Sequence, residues 1–249
     1  MSIEGESARR VAAFFDLDGT LLPDPSLERR FLRGLRKSGV IPFTNYLQWS
    51  AEALRLLPQG IAAVMHANKY YLQGVRTDRV FQHFENVLFF EEGIERVAWH
   101  TQSGQEIVLV TGTIEPLARL VATALECELE ARGLECRAVV CATRIEELQG
   151  CWTGRLLGEA MYGEAKFRAV ERLARERRVD LAMSHAYGNA PLDRRMLSAV
   201  GHAHAVNPSK EMAALANLCD WNIWHWFLEK EVLRRGVLRT KIQPIESRI

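Results

Sequence analysis

The stretch Val11-Ala12-Ala13-Phe14-Phe15-Asp16-Leu17-Asp18-Gly19-Thr20 decides the fold. Its apolar half mixes β-branched and aromatic residues and suits a strand buried on both faces. Two carboxylates follow, two residues apart, so Asp16 and Asp18 can face the same way where the strand ends. Gly19 lets the backbone turn at once. Open α/β sheets hold their ligands at the carboxyl ends of the strands. Hard carboxylate oxygens there suit magnesium, which takes one or two carboxylates together with a substrate's phosphate oxygens. A solvated, Asp-rich turn has the same dipeptide spacing, so the rest of the chain has to choose between the two.

A chain of 249 residues holds one large domain, or a core with an insert. Hydrophobic content of 48% and charged content of 25% are those of an ordinary globular protein. With a formal net charge of +1 and no basic block, nothing favours nucleic acid as a partner. The arginines from Arg172 to Arg178 are interleaved with Glu171 and Glu176 and read as a solvated helix face. Five cysteines with no CxxC spacing fit free thiols in a reducing compartment better than a disulfide framework or a zinc site. The polar, acidic start Met1-Ser2-Ile3-Glu4-Gly5-Glu6-Ser7 is not expected to be a signal peptide. No apolar run approaches the roughly 18 residues of a transmembrane segment. The expectation is a cytoplasmic protein.

Beyond the first strand the pattern becomes helical from about Ser26 to Phe90, with Leu27, Phe31, Leu35 and then Leu47, Ala51, Leu54 at helical spacing. Segments Ile61 to Leu72 and Val80 to Leu88 continue it, and Pro42, Pro58-Gln59-Gly60 and Gly74 punctuate it. Helices without an intervening strand should pack on one another as a small helical unit. Strands and helices then alternate. Strands are expected at Glu106 to Val110, Ala138 to Ala142, Asp180 to Ser184 and His202 to Val206, with helices at Ile114 to Leu129 and Lys166 to Arg175. Thr153 to Leu156 belongs to a short hairpin. Alternation of this kind implies an α/β fold with a doubly wound parallel sheet.

Three later stretches carry residue types that phosphate chemistry uses. Thr111-Gly112-Thr113 ends a strand and opens a helix, so a hydroxyl and free N–H groups there make an anion site. Thr113 alone would serve as a plain helix cap. Lys166, near the start of another helix, can neutralise a phosphoryl oxygen or a nucleophile, although a single lysine is usually a solvated surface group. Tyr187 to Asp193 adds a turn and a further carboxylate.

Together and in this order, these elements resemble the haloacid dehalogenase superfamily of phosphotransferases, and most closely its branch of phosphoserine phosphatases and similar phosphomonoesterases. The resemblance implies a Rossmann-like core from residues 1–23 and 91–249, with an inserted helical cap over 24–90. Gly201-His202 through Val206-Asn207-Pro208 resembles the closing strand and loop. By the same resemblance Asp16 would be the nucleophile that forms an aspartyl-phosphate, and Asp18 the general acid and base. Thr111, Gly112 and Lys166 would hold the phosphoryl group. Mg2+ would be bound by Asp16, the Asp18 carbonyl, Asn189 and Asp193.

Two positions depart from the pattern. The fourth motif is usually Gly-Asp-Ser-x-x-Asp but here reads Gly188-Asn189-Ala190-Pro191-Leu192-Asp193, with an uncharged amide where the family's metal-binding Asp stands. A second reading is therefore a phosphate-ligand-binding member with weakened or lost catalysis. The cap Glu that recognises the phosphoserine amine lies nine residues after the nucleophile, where this chain has Pro25, so phosphoserine specificity is not implied. Asp18 argues against a carbon–halogen hydrolase, since a halide leaving group needs no proton. The expected partner is a small phosphorylated substrate. The aromatic segment Trp221 to Phe227, followed by Lys230, Arg234, Arg235 and Arg239, reads first as a terminal helix docked on the core, with Trp221, Trp224 and Leu228 on one face. An interfacial membrane helix or an oligomer contact are its other readings.

Overall fold

Strand β1 (Ala12–Phe15) has all four side chains completely buried, and it is the axis of the molecule. Its two-residue alternation sends Ala13 and Phe15 into one core and Ala12 and Phe14 into the other. The computed structural model describes residues 9–82 and 87–228.

Three helices follow β1: α1 (Leu27–Lys37), α2 (Phe43–Leu56) and α3 (Ile61–Ala67), with 3-10 turns at Leu57–Gln59, Tyr70–Leu72 and Thr77–Gln82. Helix α1 starts where the Ser26 hydroxyl accepts the Arg29 N–H, and it buries Leu27, Phe31 and Leu35. The expected segment Val80 to Leu88 falls partly outside the described residues. The core then runs α4 (Glu91–Gln102), β2 (Glu106–Ile114), α5 (Glu115–Ala131), β3 (Val139–Thr143), the hairpin β4 (Ile145–Leu148) and β5 (Cys151–Leu156), and α6 (Glu164–Arg177). It ends with β6 (His185–Gly188), α7 (Arg194–Leu197), β7 (His202–Val206), α8 (Lys210–Leu218) and β8 (Asn222–Trp224).

Six strands form one sheet in the order β3-β2-β1-β6-β7-β8, every pair parallel. The winding reverses between β1 and β6, so the crevice outside their carboxyl ends is the place for a ligand. Helices α4 and α5 cover one face, and α6, α7 and α8 the other. The small β4–β5 hairpin carries the helical insert: Gly74 N–H bonds the Trp152 carbonyl at 2.8 Å, Trp152 N–H bonds the Val75 carbonyl at 3.0 Å, and Phe31 meets the Trp152 ring edge-on.

Two expectations are corrected. Residues 181–183 form a 3-10 turn, and the strand starts only at His185. Asp180 accepts the Ala182 N–H and the Ser184 hydroxyl bonds the Asp180 carbonyl, so local side-chain bonds hold a turn where the apolar pattern suggested strand. The aromatic segment after Trp221 docks on the core but is not helical: β8 pairs with β7, and Trp226 is buried with its backbone N–H donating to Asn207 Oδ1. Lys230, Arg234, Arg235 and Arg239 lie outside the described residues.

Beneath the sheet a chain of neutral rings links α4, β6, β7 and β8. Trp224 donates its indole N–H to His204 Nδ1, which leaves Nε2 of His204 to donate to His185 Nδ1, both at 3.1 Å. His100 Nε2 meets the Tyr187 hydroxyl at 2.9 Å and its Nδ1 meets Gln105. Arg96 lies over Trp224. Burial, with Arg96 and the other imidazoles adding to it, lowers His204 to about 3 and His100 and His185 to about 4. Their folded values lie below the unfolded 6.5, so the unfolded chain takes up protons first and stability is lost as pH falls. The thermal midpoint should drop between pH 6.5 and 4, and His204→Gln should flatten that drop in melts followed across the range.

Candidate active site

Asp16 leaves the end of β1 into the crevice, where its N–H is held by the Tyr187 carbonyl of β6. The carboxylate is 6% exposed. Lys166, in the first turn of α6 and equally buried, donates to Asp16 Oδ1 and to Asp193 Oδ1, both at 2.6 Å. Asp193 Oδ2 accepts the N–H groups of Asn189 and Ala190 at 3.1 Å each, so one carboxylate holds both the lysine and the loop after β6. Burial alone would lower the Lys166 ammonium, but Asp16 and Asp193 more than offset it and keep the charge in place above its ordinary range. Burial pushes the Asp16 carboxyl up to about 7, against the pull of Lys166 and with Asp193 adding to it.

Gly19 sits at φ +83°, and a Cβ there would fall 2.0 Å from Asn189 Nδ2. The loop after β1 and the loop after β6 thus touch at a glycine where any side chain would be strained and would displace the Asn189 amide. Asp18 has different partners from Asp16: its Oδ1 accepts the Leu27 N–H at the start of α1 at 2.7 Å, and its Oδ2 accepts the Thr113 hydroxyl at 2.6 Å. Burial raises the Asp18 carboxyl, while these two bonds and Arg30 pull it down.

The expectation that Thr113 caps a helix is overturned. Ile114 occupies the cap of α5 with no side-chain bond, and the Thr113 hydroxyl serves Asp18 instead. Thr111, 1% exposed, accepts the Thr113 N–H on its hydroxyl. Thr143 donates to the Gly112 carbonyl and accepts the Met161 N–H, fixing the loop from behind.

The seven site residues expected from sequence (Asp16, Asp18, Thr111, Gly112, Lys166, Asn189 and Asp193) line one cavity of about 320 Å³, and Thr113 joins them. Its outer wall was not foreseen. Glu28 and Arg29 come from α1, Met65 and His66 from α3, and Tyr162 from the approach to α6. His66 stacks on Tyr162 with centroids 5.0 Å apart, and its Nδ1 lies over Gly112. Periodicity could identify Met65 only as one face of a helix, because nothing local says which face meets a cavity. Among the described residues no three His, Cys, Asp or Glu side chains come together as a metal centre. The oxygen donors on offer are Asp16, the Asn189 amide and the backbone, with Asp193 already engaged by Lys166. Two buried carboxylates, Asp16 and Asp193, share the one Lys166 ammonium, an imbalance that a divalent cation would correct.

The sequence pattern of haloacid dehalogenase-like hydrolases matches residues 13–198. The chain belongs to that family. Phosphoserine phosphatase SerB1 of Mycobacterium tuberculosis is 29% identical over 91% of this chain and 74% of its own length. A probable phosphatase of the same organism is 27% identical over 86% of this chain and 75% of its own. Among solved structures, a Bordetella pertussis protein of unknown function superposes with a TM-score of 0.65 at 20% identity, covering 87% of this chain and 99% of its own. A phosphoserine phosphatase captured as a phospho-aspartyl intermediate analogue gives 0.59 at 17% identity, covering 92% and 99%. These structures share the fold, with the parallel six-stranded sheet and its flanking helices.

Lys166→Met should strand two buried carboxylates and destabilise the protein by about 3–5 kcal/mol at neutral pH. The stranded groups then have raised folded pKa values, so acidification should restore part of the loss. Urea titrations at pH 7.5 and 5.5 check both signs.

Proposed function

We propose that this family phosphatase hydrolyses phosphomonoesters of small molecules through a covalent phosphate on Asp16. The observation that carries the reading is the Asp16–Lys166–Asp193 bridge at the sheet's reversal point, with Asp18 held two residues away by Thr113 and Leu27. In the first step an Asp16 carboxylate oxygen bonds to phosphorus as the ester P–O bond breaks. The departing alkoxide takes the Asp18 proton. Asp18, now ionised and stabilised by the Thr113 hydroxyl, removes a proton from water, and that water's oxygen displaces Asp16 from phosphorus to release inorganic phosphate. General acid and base help of this kind is typically worth about 10²–10⁴-fold.

Lys166 balances charge on Asp16 and approaches the phosphoryl oxygens, while Thr111 and the Gly112 N–H present donors from the other side. Mg2+, held by Asp16, the Asp18 backbone carbonyl and the Asn189 amide with Asp193 behind them, would supply the positive charge that lets an anionic nucleophile meet an anionic phosphate. An amide in place of a carboxylate still offers a hard oxygen, so the family chemistry is retained at a lower local charge.

The leaving-group side does not favour an ammonium. Pro25 occupies the position nine residues after Asp16, and Glu28 Oε1 already accepts both Lys69 Nζ and the Tyr71 hydroxyl at 2.5 Å.

Asp16→Asn should abolish magnesium-dependent release of p-nitrophenol from p-nitrophenyl phosphate; equal background rates in both proteins would refute the mechanism. Thr113→Val removes a bond to ionised Asp18 and should raise its pKa. The basic limb of kcat/KM for an alkyl phosphate should then move to higher pH, and the same limb for p-nitrophenyl phosphate, whose leaving group needs little proton help, should move less.

A further inference from the structure

Half of the large apolar side chains exposed among the described residues lie within one short stretch of the helical insert. Phe43, Leu47 and Leu54 share one stripe of α2, and Leu57, Ile61 and Met65 continue at four-residue intervals through the turn into α3. Phe43 is 75% exposed, Leu54 73%, Ile61 70% and Met65 56%. A soluble surface rarely gathers such residues without a partner.

Two further observations say what covers them. The first is charge. Residues 24–90 hold nine Lys and Arg against five Asp and Glu, a net +4 in a chain whose total is +1, so the remainder is net negative. Arg29, Arg33 and Arg36 recur at four and three residues along α1, and Arg36 donates to the Tyr46 hydroxyl of α2, which ties α1 to the helix that carries most of the apolar stripe. The second is continuity with the catalytic cavity. Met65 ends the apolar stripe and lines the cavity, and Arg29 ends the basic ridge and lines it too. Apolar side chains next to a row of arginines, both running into the mouth of a phosphate site, match the chemistry of an anionic lipid surface. No helix among the described residues is long and apolar enough to cross a membrane, so the contact is peripheral.

We propose that the insert docks on an anionic bilayer through α2 and α3 and presents the cavity mouth to a lipid phosphomonoester whose acyl chains stay in the bilayer. The substrate class rests on the phosphatase reading above, whereas the docking does not. The apolar residues enter the headgroup region, the α1 arginines meet anionic headgroups, and the phosphate reaches Asp16 past Met65 and Arg29.

Flotation with phosphatidylcholine vesicles, with and without one third phosphatidylglycerol, tests docking separately from catalysis. The expected result is binding that requires the anionic lipid and weakens with salt. Leu47→Glu and Leu54→Glu together should weaken it by about tenfold or more, and Arg33→Glu should weaken it less. All these positions are exposed and outside the cavity, so hydrolysis of p-nitrophenyl phosphate should stay at the wild-type rate. Hydrolysis of phosphatidic acid in the vesicles should fall with binding. Failure to float, equal flotation of the double variant, or light scattering that shows a dimer dissolved by Leu47→Glu and Leu54→Glu would each overturn docking. Flotation as expected with no phosphatase activity on either substrate would instead refute the catalytic reading and leave docking standing.

Discussion

The Lys166 ammonium between Asp16 and Asp193 is the constraint on which the rest of the site depends. It joins three separate parts of the chain: the end of β1, the first turn of α6 and the turn after β6. Two carboxylates brought this close without it would repel one another in a medium that screens poorly. With it they become a rigid fork, and Asp193 passes that rigidity on to Asn189 and Ala190 through their N–H groups. Every strand around the bridge is parallel, so all these groups arrive at one edge of the sheet with their loops free to vary.

Asp16 and Asp18 are two residues apart and chemically distinct because of what each meets. Asp16 meets a cation, while Asp18 meets a hydroxyl and a helix-starting N–H, a difference that suits the separate roles proposed for them. Gly19 makes the division workable, because the turn it permits brings Asn189 against the first loop without a side chain in the way.

Much of this was legible in the sequence. The run from Val11 to Phe15 identified a doubly buried strand because its apolar character is continuous, and Asp16, Thr111, Lys166 and Asp193 could be read because each stands near the end or start of a segment with a clear apolar pattern. The strand at His185 was displaced in the reading because Asp180 and Ser184 form bonds too local for periodicity to register. The β8 segment has helical spacing at Trp221, Trp224 and Leu228, and only the presence of β7 beside Asn222–Trp224 makes it an edge strand. Thr113 showed its role only when β1 and β2 were paired, since its partner lies 95 residues earlier.

The near-neutral total charge conceals the polarity that matters for function. The catalytic crevice holds more carboxylate than ammonium, which by itself would repel a phosphate dianion, and the helical insert above it carries the compensating excess of arginine and lysine. The field of the insert as a whole favours an anion approaching the molecule, and inside the crevice the approach depends on specific donors. Lys166, Thr111 and the Gly112 N–H would be those donors. In the proposed reaction the sheet would supply the chemistry and the insert the positive field, and the small hairpin ties the two together through Trp152.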